Sequence, residues 1–160
     1  MVTITPWREI IVPAHTGSDD LITRVLSARA HVERWAENML RLAKIAPRIS
    51  PVKRPIIRIR NKDLGLTAPL VSISETKKMG LSQGLQFLSL EEILALRLSY
   101  RDQPPEWMRV AMQTQSDADE SMLDLAIVND GARLDIRTTW AFPQNVYQPQ
   151  HEWFWSLPQQ

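Results

Sequence analysis

Between residues 18 and 46 apolar side chains recur at the three-and-four spacing of one helical face: Leu21, Val25, Ala28, Val32, Trp35, Met39 and Leu42. Ile22, Leu26 and Ala36 widen that stripe. Ser18 is a suitable N-cap, Asp19 and Asp20 place negative charge at the first free N–H groups, and Pro47 ends the run. The pattern predicts one amphipathic helix over 18–46, about 40 Å long at 1.5 Å per residue. A helix of that length either wraps a sheet or leaves part of itself for another chain.

The period then shortens to two. Ile57 and Ile59 face one way while Arg58, Arg60 and Lys62 face the other, which predicts a strand over 55–61, approached through Pro47, Pro51 and Pro55. Leu70 to Ser74 reads as a second strand and Glu75 to Gly84 as a polar loop, so 55–88 is a region of strands and loop. Ser89 and Glu92 have capping-box spacing, and Leu88 with Ile93 the spacing of a hydrophobic staple. They start a buried helix that runs to Tyr100. Pro104 and Pro105 restart a second helix with Trp107, Val110 and Ala111 inside, so that two helices fill 89–115.

Asp130-Gly131 is a two-residue hairpin signal. It pairs Ile127 with Leu134, Leu125 with Ile136 and, on the opposite face, Asp124 with Arg137. His151 to Leu157 supplies a final strand, so 122–157 holds the hairpin and that strand, and 1–17 is an arm. The expected fold is one α+β domain over 1–160: a long N-terminal amphipathic helix and two shorter helices packed on an antiparallel or mixed sheet that ends in a β-hairpin.

Composition narrows the function classes. A chain of 160 residues with 44% hydrophobic content can bury a core without staples. The chain contains no cysteine, so disulfides, thiol catalysis and thiolate metal sites are excluded. No apolar run reaches membrane-spanning length and the start lacks the order of a signal peptide, so the expected setting is the cytoplasm, with no membrane partner.

Charge adds a polarity that the overall +1 hides. Residues 1–62 carry 12 Lys/Arg against 5 Asp/Glu, and residues 63–160 carry 7 against 13. Most of the excess lies in one acid-free stretch holding Arg48, Lys53, Arg54, Arg58, Arg60 and Lys62. Its acidic counterpart runs from Ser116 to Asp124. Charges segregated in this way steer an anionic partner or a second copy of the chain.

Chemical motifs are sparse. Gly-x-Ser-x-Gly, the phosphate-cradling loop and the dinucleotide fingerprint are absent, and no cofactor is expected. His15, Asp19 and Asp20 form the densest catalytic or metal candidate, although helix-cap chemistry already accounts for them. Trp153 and Trp155 share a strand face and, with His31 and Trp35 of the long helix, are candidate protein-interface residues; the competing role for the two C-terminal tryptophans is core closure.

Three readings follow. The first is a non-enzymatic adaptor, chaperone, immunity or accessory protein that docks a protein partner or itself through the long helix and the polarised surface. The second is a nucleic-acid-binding regulator using residues 48–62, against which stands the lack of interleaved aromatics. The third is a hydrolase-type enzyme with a site near His15, Asp19 and Asp20.

Overall fold

The computed structural model of the chain describes residues 4–116 and 121–158. The acidic tract at 117–120 lies outside these residues. In chain order the elements are β1 (Arg8–Val12), α1 (Ser18–Ser27), β2 (His31–Val32), α2 (Arg34–Leu42), β3 (Val52–Arg60), a 3-10 turn (Asn61–Leu64), β4 (Val71–Ser72) and α3 (Ile73–Ser82). There follow α4 (Leu90–Ser99), β5 (Glu106–Val110), β6 (Gln115–Ser116), β7 (Met122–Asn129), β8 (Leu134–Trp140), β9 (Val146–Tyr147) and β10 (Glu152–Ser156).

Eight strands form one mixed sheet in the order β1-β3-β10-β5-β7-β8-β2, with β6 alongside β7; β4 and β9 make a separate ribbon. β10 lies parallel to β5 and β2 parallel to β8, while the other pairs are antiparallel. The position of β10 follows from its side chains. Phe154 on one face and Trp153 and Trp155 on the other are all fully buried, and a strand apolar on both sides needs cover on both.

Two cores result. Phe154, Ile56, Ile10, Met108, Leu125, Ile127 and Ile136 pack against Leu21, Ile22 and Val25 of α1, Ala36 and Leu40 of α2, and Ile93, Leu94 and Leu96 of α4. Across the sheet, Trp153, Trp155, Ile57 and Ile59 pack with Leu64, Ile73, Leu85 and Ala111.

The single long helix of residues 18–46 is not present. It divides into α1 and α2, joined by β2 at the edge of the sheet. The break is a Schellman-type stop: Arg29 takes φ 61°, Arg29 N–H donates to Leu26 O, and Ala30 N–H donates to Val25 O. A left-handed C′ position is normally glycine, so an arginine there gives no sequence signal. The apolar rhythm persists across the break because Val32, Ala36 and Leu40 join the same core as α1. The interruption changes which side is buried: Ala36 and Leu40 point inward, while Trp35 and Leu42 are exposed.

The two-helix reading of 89–115 is half overturned. α4 forms with the Ser89–Glu92 capping box complete, but residues 106–110 are strand β5, antiparallel to β7. The expected polar loop at 75–84 is helix α3, started by a second capping box between Ser72 and Glu75. With four helices and the large mixed sheet, the predicted three-helix arrangement gives way.

The hairpin is present with the expected parity and a register displaced by two residues. Ile127 faces Ile136, Asn129 faces Leu134, and Asp124 faces Thr139 rather than Arg137. Residues 130–133 form the longer loop, in which Asp130 Oδ1 accepts from the N–H groups of Ala132 and Arg133.

Candidate functional site

The acid-free stretch becomes neutralised on folding. Arg48 binds Glu91, Arg54 lies 3.7 Å from Glu92, and Arg60 binds Asp63 at 2.7 Å. Arg58 is held by Glu106 at 2.7 Å and Glu152 at 2.6 Å. Burial opposes the Arg58 charge, but hydrogen bonds to Glu106 and Glu152 outweigh it and raise the pKa. Lys53 reaches Glu9 at 3.8 Å, leaving Lys62 as the one member of the set without a carboxylate contact among the described residues. The two oppositely charged stretches of sequence therefore interleave, because β3 lies between β1 and β10 and beneath α4.

His15 does not join Asp19 and Asp20 in a common site. Its backbone bridges to Arg48, and its buried ring meets Glu91 through Nε2 at 2.8 Å. Asp19 pairs with Arg41, and Asp20 with Arg24 and the Thr16 N–H. No group of three or more His, Asp or Glu able to hold a metal occurs among the described residues. No helix among them is long and apolar enough to cross a membrane.

Trp153 and Trp155 are fully buried, which assigns them to core closure and removes them from any surface. Beside Trp153 sits a polar network that sequence reasoning missed. Arg109, 1% exposed, donates to Thr139 Oγ1 at 3.2 Å, Tyr147 Oη at 2.5 Å and Trp140 O at 3.0 Å, and lies 3.5 Å from Asp124. Lys77 directs its ammonium to Asp124 at 2.9 Å, Met112 O at 2.8 Å and Thr114 Oγ1 at 2.9 Å. Burial, with the nearby Arg109 charge, lowers the Lys77 pKa despite Asp124. Three acceptors take its three protons, so the lysine ties α3 to the sheet and offers no nucleophile.

His151 stacks on Tyr147 at 4.4 Å in the same neighbourhood. Burial, then the Arg109 charge, pushes its pKa down to about 4. The unfolded chain takes up this proton near pH 6.5 and the folded chain near pH 4, so the unfolded state binds more protons in between. Stability is expected to fall as pH drops from about 6.5 to about 4, with no further His151 contribution below. Urea midpoints across that window will check it: His151→Phe, which keeps the stacking, should flatten the slope relative to the natural chain.

An accessible groove that gathers exposed aromatic side chains lies at the β2–α2 corner. Glu33, Trp35, Trp107, Ser121, Leu123, Thr138, Thr139 and Trp140 line one groove of about 540 Å³. Trp35, Trp107 and Trp140 are 60%, 48% and 57% exposed. Trp140 stacks on Phe142 at 5.7 Å, which fixes its ring. Glu33 closes the adjacent edge of β8, accepting the Thr138 N–H at 2.7 Å. His31, on β2, meets the buried Asp135 through Nδ1 at 3.0 Å. Of the four expected interface residues, Trp35 and His31 are thus at the surface and close in sequence. Trp35 lines the groove and His31 does not; Trp107, which the sequence pattern puts inside a helix, and Trp140, which it puts on no face, complete the aromatic set.

No family model, curated protein or solved structure matches the chain.

Proposed function

We propose that the protein is a non-enzymatic docking domain of the adaptor or accessory-subunit kind, acting in the cytoplasm, which holds a protein partner at the groove around Trp35, Trp107 and Trp140. The observation that carries this reading is the gathering of three half-exposed tryptophans in one concave site. Large apolar side chains left open together mark contact surfaces, and tryptophan is the residue most enriched among those that dominate binding energy. A cysteine-free chain has no redox-dependent step in its folding, which agrees with a reducing compartment. The dispersal of His15, Asp19 and Asp20 and the pairing of Arg48, Arg54, Arg58 and Arg60 favour docking over the hydrolase and nucleic-acid readings.

The test is selection of linear peptides from a random displayed library on the immobilised protein. Peptides recovered by the natural chain should lose about tenfold or more in affinity for Trp35→Ala and for Trp140→Ala, a typical hot-spot effect of about 1.4 kcal/mol or above. Both variants should keep the parent's urea midpoint, because truncating an exposed side chain removes little packing. Peptides indifferent to both substitutions, or no enrichment at all, would sink the proposal.

A further inference from the structure

Among the described residues, Lys44, Lys62 and Lys78 stand singly without a carboxylate contact, whereas several arginines in that state gather around β2. Arg29 and Arg34, which bracket β2 in sequence, are exposed and have no carboxylate partner among the described residues. Arg101, also exposed, hydrogen-bonds to Ala28 O, immediately before Arg29, and has no carboxylate partner among the described residues. The parallel register sets His31 beside Asp135, so Arg29 and Arg133 stand at the same end of the pair, each two residues earlier. Arg133 is half-exposed and reaches Asp135 only at 3.6 Å; Arg137 is shared between Asp130 and Asp135. Among the described residues five arginines therefore meet three carboxylates here, and Glu33 is already committed to Thr138. β2 also ends the sheet order, so its outer side has no neighbouring strand among the described residues.

We infer that the partner segment is extended and acidic and carries an aromatic side chain: its carboxylates lie against Arg29, Arg34 and Arg133 along the β2 edge, and its ring seats among Trp35, Trp107 and Trp140. This rests on the docking reading and adds the chemistry of the occupant. Arginine suits the task because its planar fork binds carboxylates in pairs. Glu33, by occupying the Thr138 N–H, keeps the partner from adding to β8 and leaves the β2 side as its track.

The probe is a labelled random copolymer of glutamate and tyrosine, with polyglutamate and a lysine–tyrosine copolymer as comparisons, read by anisotropy and by quenching of tryptophan emission. The glutamate–tyrosine polymer should bind most tightly and weaken as sodium chloride is raised, since exposed charge pairs are screened. Combining Arg29→Gln with Arg34→Glu should cost about tenfold in affinity for it, and Trp35→Ala a similar factor. Equal urea midpoints will confirm that these variants are folded; the glutamate at position 34 suits the start of α2. Tighter binding of the lysine–tyrosine polymer, or no effect of the arginine changes, overturns the acidic partner, while sensitivity of that binding to Trp35→Ala would leave the docking reading standing. Polyglutamate binding as well as the mixed polymer, with Trp35→Ala silent, overturns the groove as anchor and the docking reading with it. Absence of binding by the glutamate–tyrosine polymer overturns the inference.

Discussion

Replacing Asp124 with alanine is expected to destabilise the chain by roughly 3–5 kcal/mol, the usual consequence of stranding a buried charge. Asp124 is fully buried between Lys77 and Arg109 and also accepts from Thr114 Oγ1 at 2.8 Å. Without it two cations face each other under α3 with no counter-ion. Since a typical domain is stable by only about 5–15 kcal/mol, the variant should populate unfolded chains or lose α3 from the sheet. Combining Asp124→Asn with Lys77→Met removes one charge of each sign and should recover a large part of the loss. Equilibrium urea unfolding of the three proteins decides the matter. An Asp124→Ala midpoint within experimental error of the parent would show that the network carries no weight.

The second large effect concerns Gly80, inside α3. Its backbone is ordinary helix, so alanine there should add up to about 1 kcal/mol of helix stability on propensity alone. The opposite is expected. A Cβ at this position falls within the indole of Trp155, which is fully buried and stacked on Phe87 at 5.9 Å. Well-packed cores yield little, and overpacking of this kind typically costs about 1–3 kcal/mol. Trp155→Leu opens the space, so Gly80→Ala should be far less harmful in that background, giving a coupling well above the few tenths of a kcal/mol seen for independent sites. Equal penalties in the two backgrounds would refute the clash. The glycine thus sets how closely α3 approaches the sheet, and with it where Lys77 meets Asp124.

Local rules carried part of this architecture. The Ser89–Glu92 box and the alternation of Ile57 and Ile59 against Arg58 and Arg60 were readable because each depends on neighbours within a few residues. The Ser72–Glu75 box had the same signature, but two lysines and two glycines among residues 77–84 masked it as a loop. Hairpin parity was legible and its register was not: Asp130 folds its carboxylate back on the loop, a choice between two and four residues that the strand pattern does not distinguish. Residues 106–110 were ambiguous because apolar positions 107, 110 and 111 fit a helical face as well as a strand; pairing with β7 decided it.

The site was harder to read for a different reason. Linear charge segregation predicts surface polarity only if the charged segments stay apart, and Glu91, Glu92, Glu106 and Glu152 reach the basic stretch from 38 to 94 positions further along. Trp35 was found as part of a helix stripe and proved exposed because Arg29 broke that helix. The groove needs Trp107 and Trp140 from two other strands, a meeting no local pattern records.

The insertion of β10 between β3 and β5 has a consequence for biosynthesis. Until residues 152–156 have emerged from the ribosome, the nascent chain holds two half-assembled ladders, each with an open apolar margin. Every contact of the wedge strand closes a loop of tens of residues, so it forms late and slowly. During that interval the apolar margins of both ladders stay wet, the state in which incomplete chains are prone to aggregate.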